Sequence, residues 1–315
     1  MSILPCALLA LVTASSACEK GGSGSGSTPF DGETARGYVK TQLDFGSRVP
    51  GTEAARKAGD WIVQMMRERA DTVIEQRWTH VTQAGDSLPL RNILARYKPE
   101  ATERVLYITH WDSRPTSDEA AIPAQRKLPV PGANDGASGV ALFIALGDVL
   151  KDTPPDVGLD LLFVDGEDYG PSFDPGKDQD VLLGSRYFVE HLPSPGYQPL
   201  YGVLWDMIGD ANLQIYQEIN SARAAPEINK RVWDVAQQLG YGRFFIPETK
   251  YEVTDDHIPF IKKGMRVIDV IDLDYPAEGM RTYHHTPEDT FDKVSAQSLK
   301  VVGDVALRLV SGGGS

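Results

Sequence analysis

Val105-Leu106-Tyr107-Ile108-Thr109 is an unbroken run of β-forming residues, and it stops at His110-Trp111-Asp112-Ser113. A strand with no polar face has to be covered on both sides, which is the condition of a buried, largely parallel sheet. The same grammar recurs at Leu161-Leu162-Phe163-Val164, which stops at Asp165-Gly166-Glu167-Asp168. Between the two runs lies Gly132-Ala133-Asn134-Asp135-Gly136-Ala137-Ser138-Gly139, a loop of small residues that opens an apolar helical stretch from Val140 to Leu150. Strand, helix and strand in this order predict a crossover unit of an α/β fold. Further strands are expected at Thr72–Trp78, Arg91–Tyr97, Gly158–Val164, Leu200–Trp205 and Arg266–Ile271. Helices are expected at Thr52–Ala70, Leu183–His191, Ala225–Leu239 and Ser295–Val310. In the first of these, Ala55, Ala58, Ile62, Met65 and Met66 recur at helical spacing and form the inward stripe. The expectation is a three-layer α/β/α domain with a mixed, mostly parallel sheet, and ligands collect at the carboxyl ends of such strands.

Composition narrows the function. The chain of 315 residues has 31 Lys plus Arg against 44 Asp plus Glu, a net charge of −13, which opposes nucleic-acid binding. Its two cysteines, Cys6 and Cys18, both lie in the first eighteen residues, so thiolate chemistry is excluded from the rest. Ile3–Ala17 is a short apolar run, and Ser15-Ser16-Ala17-Cys18 resembles a lipobox, so residues 1–18 read as a lipoprotein-type signal peptide with Cys18 as lipid anchor. The competing reading, an unlipidated secretory signal, is favoured by the lack of Lys or Arg before the apolar run. Residues 19–29, rich in Gly and Ser, then form a flexible tether, and 30–312 form a single catalytic domain. Both readings place the domain outside the cytoplasm, in a bacterial periplasm, with membrane contact only through the anchor.

The polar groups at the strand ends suit a metal. His110 and Asp112, Asp135, the Asp165–Asp168 acids, Asp206 and the His284-His285 pair all stand at strand ends or in loops, and two imidazoles with three carboxylates drawn from among them make a donor set suited to zinc. Taken singly, each acid is accounted for as a cap or a turn residue. It is their coincidence with strand ends that points to a site, because the ligands are scattered over about 175 residues and form no short metal signature.

In order along the chain, His110-Trp111-Asp112-Ser113, Asp135 in its Gly-rich loop, Glu167-Asp168, Asp206 after a strand and His285-Thr286 resemble the zinc aminopeptidase family that also contains the glutaminyl-peptide cyclotransferases. The resemblance implies a zinc-exopeptidase-like fold and peptide or protein N-termini as substrates. It implies that Asp135, Asp168 and His285 hold one zinc, that His110 and Asp206 hold a second in the aminopeptidases, and that Glu167 is the general base. His284 is not implied as a ligand. The cyclase reading needs one Zn2+ and the aminopeptidase reading two.

Two features resemble the cyclases. Tyr169 to Leu183 intervene between the acidic pair and Gly184-Ser185-Arg186, and Asp255-Asp256-His257-Ile258-Pro259-Phe260 is similar to a cyclase segment. By that likeness Asp255 joins Glu167 and Asp206 in handling protons, while His257 starts a helix. Other features depart from the cyclases: His284 stands where they commonly have Trp, Asp168 stands where they tend to have Glu, and the Asn134–Gly139 loop is more similar to the peptidases. Trp111 and Trp205 are either an apolar wall of the site or packed core aromatics. A non-catalytic binding domain of this fold would be marked by loss of the base or a ligand, and none is lost here.

Overall fold

The computed structural model describes Met1 and residues 30–170 and 178–311. The rest of the expected leader, Cys6, Cys18, the tether and part of the Tyr169–Leu183 insertion lie outside the described residues. The chain runs through α1 (Gly32–Asp44), α2 (Glu53–Arg67), β1 (Thr72–Val81), β2 (Ser87–Tyr97), β3 (Arg104–His110), α3 (Ala137–Leu150), β4 (Gly158–Val164) and α4 (Leu183–Glu190). It continues through β5 (Tyr201–Asp206), β6 (Ile215–Gln217), α5 (Ile219–Ala224), α6 (Pro226–Gln238), β7 (Phe245–Thr249), α7 (His257–Lys262), β8 (Val267–Ile271) and α8 (Ala296–Val310).

Among the described residues, β1-β2-β4-β3-β5-β8 form one six-stranded sheet. Its β1/β2 and β2/β4 pairs are antiparallel, and its β4/β3, β3/β5 and β5/β8 pairs are parallel. This is the mixed, mostly parallel sheet expected. Successive side chains of a strand face opposite ways, and here both ways lead into apolar packing. Val105 and Tyr107 of β3 join the core beneath α1, α3, α6 and α8, whereas Leu106 and Ile108 join a second core with Phe188 of α4 and Phe260 of α7. Three layers follow from that alternation.

Topology places the cleft. From β3 the chain crosses through α3 to β4 on one side, and then through α4, over the opposite face of the sheet, to β5 on the other side of β3. The carboxyl ends of β3, β4 and β5 therefore surround a point where crossovers diverge, which is where α/β sheets bind ligands.

Several boundaries moved for local reasons. The first expected helix begins one residue later, because Thr52 is its N-cap and accepts the Ala55 amide at 3.2 Å. Ala55, Ala58, Ile62 and Met66 are buried as expected, and Met65 is half-buried. Strands β1 and β2 extend toward each other into a hairpin closed by Thr82 N–H to Asp86 O at 2.9 Å, with Gly85 at φ +88°. Helix α1 was not anticipated. Its buried positions are Gly32, Ala35, Val39 and Gln42, too weakly apolar to mark a stripe, and it is held by Asp31, whose carboxylate accepts the Glu33 amide at 2.9 Å. The short pair β6 and β7 likewise left no periodic pattern.

Candidate metal centre

His110 is the last residue of β3, so its imidazole emerges at the carboxyl end of the sheet. Its Nδ1 faces Asp112 Oδ1 at 3.5 Å, and Asp112 also accepts the backbone amides of Glu167 at 3.1 Å and Asp168 at 3.2 Å. One buried carboxylate thus orients the imidazole and fixes the loop after β4. Asp135 is presented in the same way. The Asp289 carboxylate accepts the amides of Asn134 at 2.8 Å and Asp135 at 3.1 Å. The turn then needs Gly136, at φ +85°, because a Cβ there would lie 2.6 Å from Asp112 O. Beneath both loops lies Arg48, fully buried, donating to the carbonyls of Trp111 at 3.1 Å, Pro131 at 3.0 Å and Gly132 at 2.6 Å.

These supports bring the five expected ligands together. His110 Nε2 lies 3.0 Å from Asp135 Oδ1 and 3.1 Å from Asp206 Oδ1. His285 Nε2 lies 3.2 Å from Asp168 Oδ1 and 3.6 Å from Asp135 Oδ2. Asp135 therefore offers one oxygen to each of two groups, His110/Asp135/Asp206 and Asp135/Asp168/His285. The backbone of His285 is left-handed at φ +50°, and that of Met207, which follows Asp206, at φ +48°; both are conformations that non-glycine residues adopt at a cost.

The residues fit zinc by their chemistry. Asp135 Oδ2 and Asp168 Oδ2 are buried without a hydrogen-bond partner, a state that is costly unless a cation or water completes it. Both groups combine imidazole with carboxylate and are closed to bulk water on the sheet side, as catalytic zinc sites are. Electrostatics follow the same packing. Burial disfavours a charge on His110, but Asp206, Asp112 and Asp135 outweigh it and raise its pKa well above the ordinary imidazole value. Burial also opposes ionisation of Asp135, and there His110 and His285 prevail and hold the carboxyl well below its usual range.

Glu167, from the loop after β4, and Asp255, from the segment before α7, both reach the cleft. Both line a cavity of about 470 Å³ together with Asp135, Asp168, Asp206 and His285. Burial first, then the charges of Asp168 and Asp255, push the Glu167 pKa well up against the pull of His110. Asp255 is raised for the same reasons, with burial leading and Asp206 and Asp256 following.

Several residues correct or extend the sequence reading. Trp111 and Trp205 are core aromatics and form no wall of the site. Trp205 packs edge-on to Tyr107 at 5.5 Å, the Trp111 indole donates to Arg91 O at 3.1 Å, and the apolar wall is Met207, Tyr251, Val253, Ile271 and Leu273. His257 is the first residue of α7, fully buried between Glu218 at 3.4 Å and Asp269 at 3.8 Å. The insertion returns to the site through Leu182 N–H to Glu167 O at 3.0 Å, and Asp180 ties it to His80 of β1 at 2.7 Å. Arg114 was missed. Its buried guanidinium grips Asp118 at 2.7 and 2.8 Å and donates to Asp168 Oδ1, and its only sequence signal was its place directly after Ser113. Arg48 was also missed, because its partners are carbonyls, which no side-chain motif announces.

Comparison with known proteins agrees with this geometry. A sequence profile of peptidase family M28 matches residues 92–310. Aminopeptidase YwaD of Bacillus subtilis (strain 168) is 24% identical over 84% of this chain, which spans 54% of that protein's length. A crystal structure of Bacteroides thetaiotaomicron glutaminyl cyclase superposes with a TM-score of 0.86 at 36% identity, covering 90% of this chain and 99% of that one. A leucine aminopeptidase precursor from the same organism superposes with a TM-score of 0.85 at 35% identity, covering 91% of this chain and 99% of the other.

Proposed function

The chain belongs to peptidase family M28, and from that premise we propose that it is a zinc-dependent glutaminyl-peptide cyclotransferase, converting N-terminal Gln to pyroglutamate with release of ammonia. The observation that carries this reading is the convergence of Asp255, from the Asp255–Phe260 segment, with Glu167 and Asp206 around one small cleft. Cyclisation needs a single group that first accepts and then returns a proton. A carboxyl whose pKa is raised by burial and by neighbouring acids is suited to both tasks.

Asp135, Asp168 and His285 would hold the zinc, which when bound supplies Lewis-acid polarisation of the γ-amide carbonyl. Glu167 takes a proton from the α-amine as its nitrogen forms a bond to the γ-amide carbon. The carbon–nitrogen bond of the amide then breaks, and Glu167 delivers the proton to the leaving nitrogen, which departs as ammonia. Burial, then Asp168 and Asp255, raise the Glu167 pKa and so make it a stronger base, while Asp206 and Asp255 stand beside it in the same cleft to share in handling the proton. Met207, Ile271 and Leu273 supply an apolar wall that limits water at the reacting carbon.

A second reading, a zinc aminopeptidase, is favoured by one observation: Asp135 links two donor groups, the arrangement a pair of ions requires. In that case Glu167 would take its proton from a water attacking the first peptide bond. Two short peptides that differ only in beginning with Gln or Leu separate the readings when incubated with the zinc-loaded protein and followed by mass spectrometry. Loss of ammonia from the Gln peptide alone supports the cyclase, whereas release of free Leu establishes the aminopeptidase. Glu167→Gln is expected to lower turnover by about 10²–10⁴-fold under either reading with zinc content unchanged. Retained activity in that variant would remove Glu167 from its role.

A further inference from the structure

The edge of His285 turned away from Asp135 and Asp168 carries a second cluster. Glu119 Oε1 lies 3.6 Å from His285 Nδ1 and 3.2 Å from His284 Nδ1. The two imidazoles stack with centroids 3.5 Å apart and planes 27° apart. The backbone secures this arrangement: Glu119 N–H donates to His285 O at 3.3 Å, and His284 N–H donates to Thr282 Oγ1 at 2.9 Å. One donor atom from each of Glu119, His284 and His285 lies within 4.8 Å of the other two. All three residues line the cleft, yet Glu119 and His284 belong to neither inner donor group.

From this geometry we propose an outer site for a transition-metal dication, held by Glu119 and His284 beside the Nδ1 edge of His285, whose occupation by excess zinc obstructs the cleft. Imidazole with carboxylate selects zinc, cobalt, nickel or copper over magnesium or calcium, which prefer all-oxygen shells. The ion would be held less firmly than one at the inner centre. The His284 side chain is 26% exposed and that of Glu119 42%, so water completes the coordination and competes for both donors. His285 sets the site's position without being shared, because its Nε2 edge is turned to the inner carboxylates and its Nδ1 edge to Glu119. An ion between Glu119 and His284 occupies part of the cavity that Glu167 also lines, and so takes space a peptide would need. The binding claim is independent of the activity proposed above, and only its inhibitory consequence rests on that reading.

The test uses the full chain, loaded with zinc and freed of excess metal, then titrated calorimetrically with further Zn2+ and with Mg2+. His284→Phe keeps a ring stacked on His285 but removes the ligand, and Glu119→Gln removes the charge. The wild type is expected to take up one more zinc equivalent than either variant and to show no heat with Mg2+ at the same concentrations. Turnover of whichever peptide the wild type accepts should fall as zinc rises above the inner loading. The zinc concentration for half-inhibition should rise at least tenfold in both variants, each normalised to its own activity without added zinc. Equal zinc uptake by wild type and both variants would overturn the site, and unchanged inhibition in both variants would overturn its consequence. Failure to turn over either peptide would count against the proposed function alone, leaving the zinc equivalents to decide the outer site.

Discussion

Replacement of Arg48 by Met isolates what holds the centre's two loops. The guanidinium is fully buried and, among the described residues, has no carboxylate in hydrogen-bond contact. Its acceptors are the carbonyls of Trp111, Pro131 and Gly132 at 3.1, 3.0 and 2.6 Å, with Asp135 O more distant at 3.5 Å. Hydrogen bonds from a charged donor are worth about 1.5–3 kcal/mol each, so three close ones amount to roughly 4–9 kcal/mol. Against this stands the cost of burying the charge. Burial lowers the Arg48 pKa from 12.5 to about 10 even with Asp289, Asp112 and Asp135 nearby, which places the net worth of these bonds at the lower end of that range. The net loss expected for Arg48→Met is therefore about 4 kcal/mol, a large share of the 5–15 kcal/mol typical of a folded domain. Urea denaturation in the presence of a chelator measures it without a contribution from bound metal. A loss under about 1 kcal/mol would refute the reasoning, since three buried carbonyls cannot lose a charged donor so cheaply. Arg48→Lys should recover only part of the loss, because an ammonium lacks the planar fork that reaches three carbonyls at once.

Three other outcomes follow from the site and its surroundings. Asp135→Asn should lower zinc retention more than Asp206→Asn, as measured by atomic absorption, because Asp135 faces both donor groups and Asp206 only one. Glu218 is pushed up by burial but more strongly down, to about 2, by His257, by the amides of Val253 and Asn220 and by the Ser221 hydroxyl. A depressed carboxyl contributes stability that is complete above its unfolded value of about 4.5 and lost as the pH falls toward 2. The stability gap between wild type and Glu218→Gln should accordingly narrow across that window in thermal melts. Processing as a lipoprotein predicts that the mature chain begins at an acylated Cys18, and mass spectrometry finding an unmodified Cys18 or another start would reject the anchor.

The apolar runs ending at His110, Val164 and Asp206 determined the fold class from sequence, because strands that bury both faces must be apolar throughout and leave their polar residues at the tips. The same logic made His110, Asp135, Glu167, Asp168, Asp206 and His285 legible as a set, since strand ends and the loop of a crossover helix meet in one place. Helix α1 and the β6/β7 pair stayed hidden for lack of a periodic apolar pattern.

Pairwise geometry was decided by the tertiary structure alone. Sequence order cannot say that Asp135 turns one oxygen to His110 and the other to His285, because that depends on the Asp289 carboxylate binding the loop from 154 and 155 residues away. Nor can it say that Arg114 reaches Asp168 across 54 residues, or that Arg48 is satisfied by backbone carbonyls of distant loops. Local propensity and burial pattern are written residue by residue and can be read in one dimension. The direction of a side chain, and whether the group it meets is a carboxylate, a carbonyl or another imidazole, arises only when the layers pack.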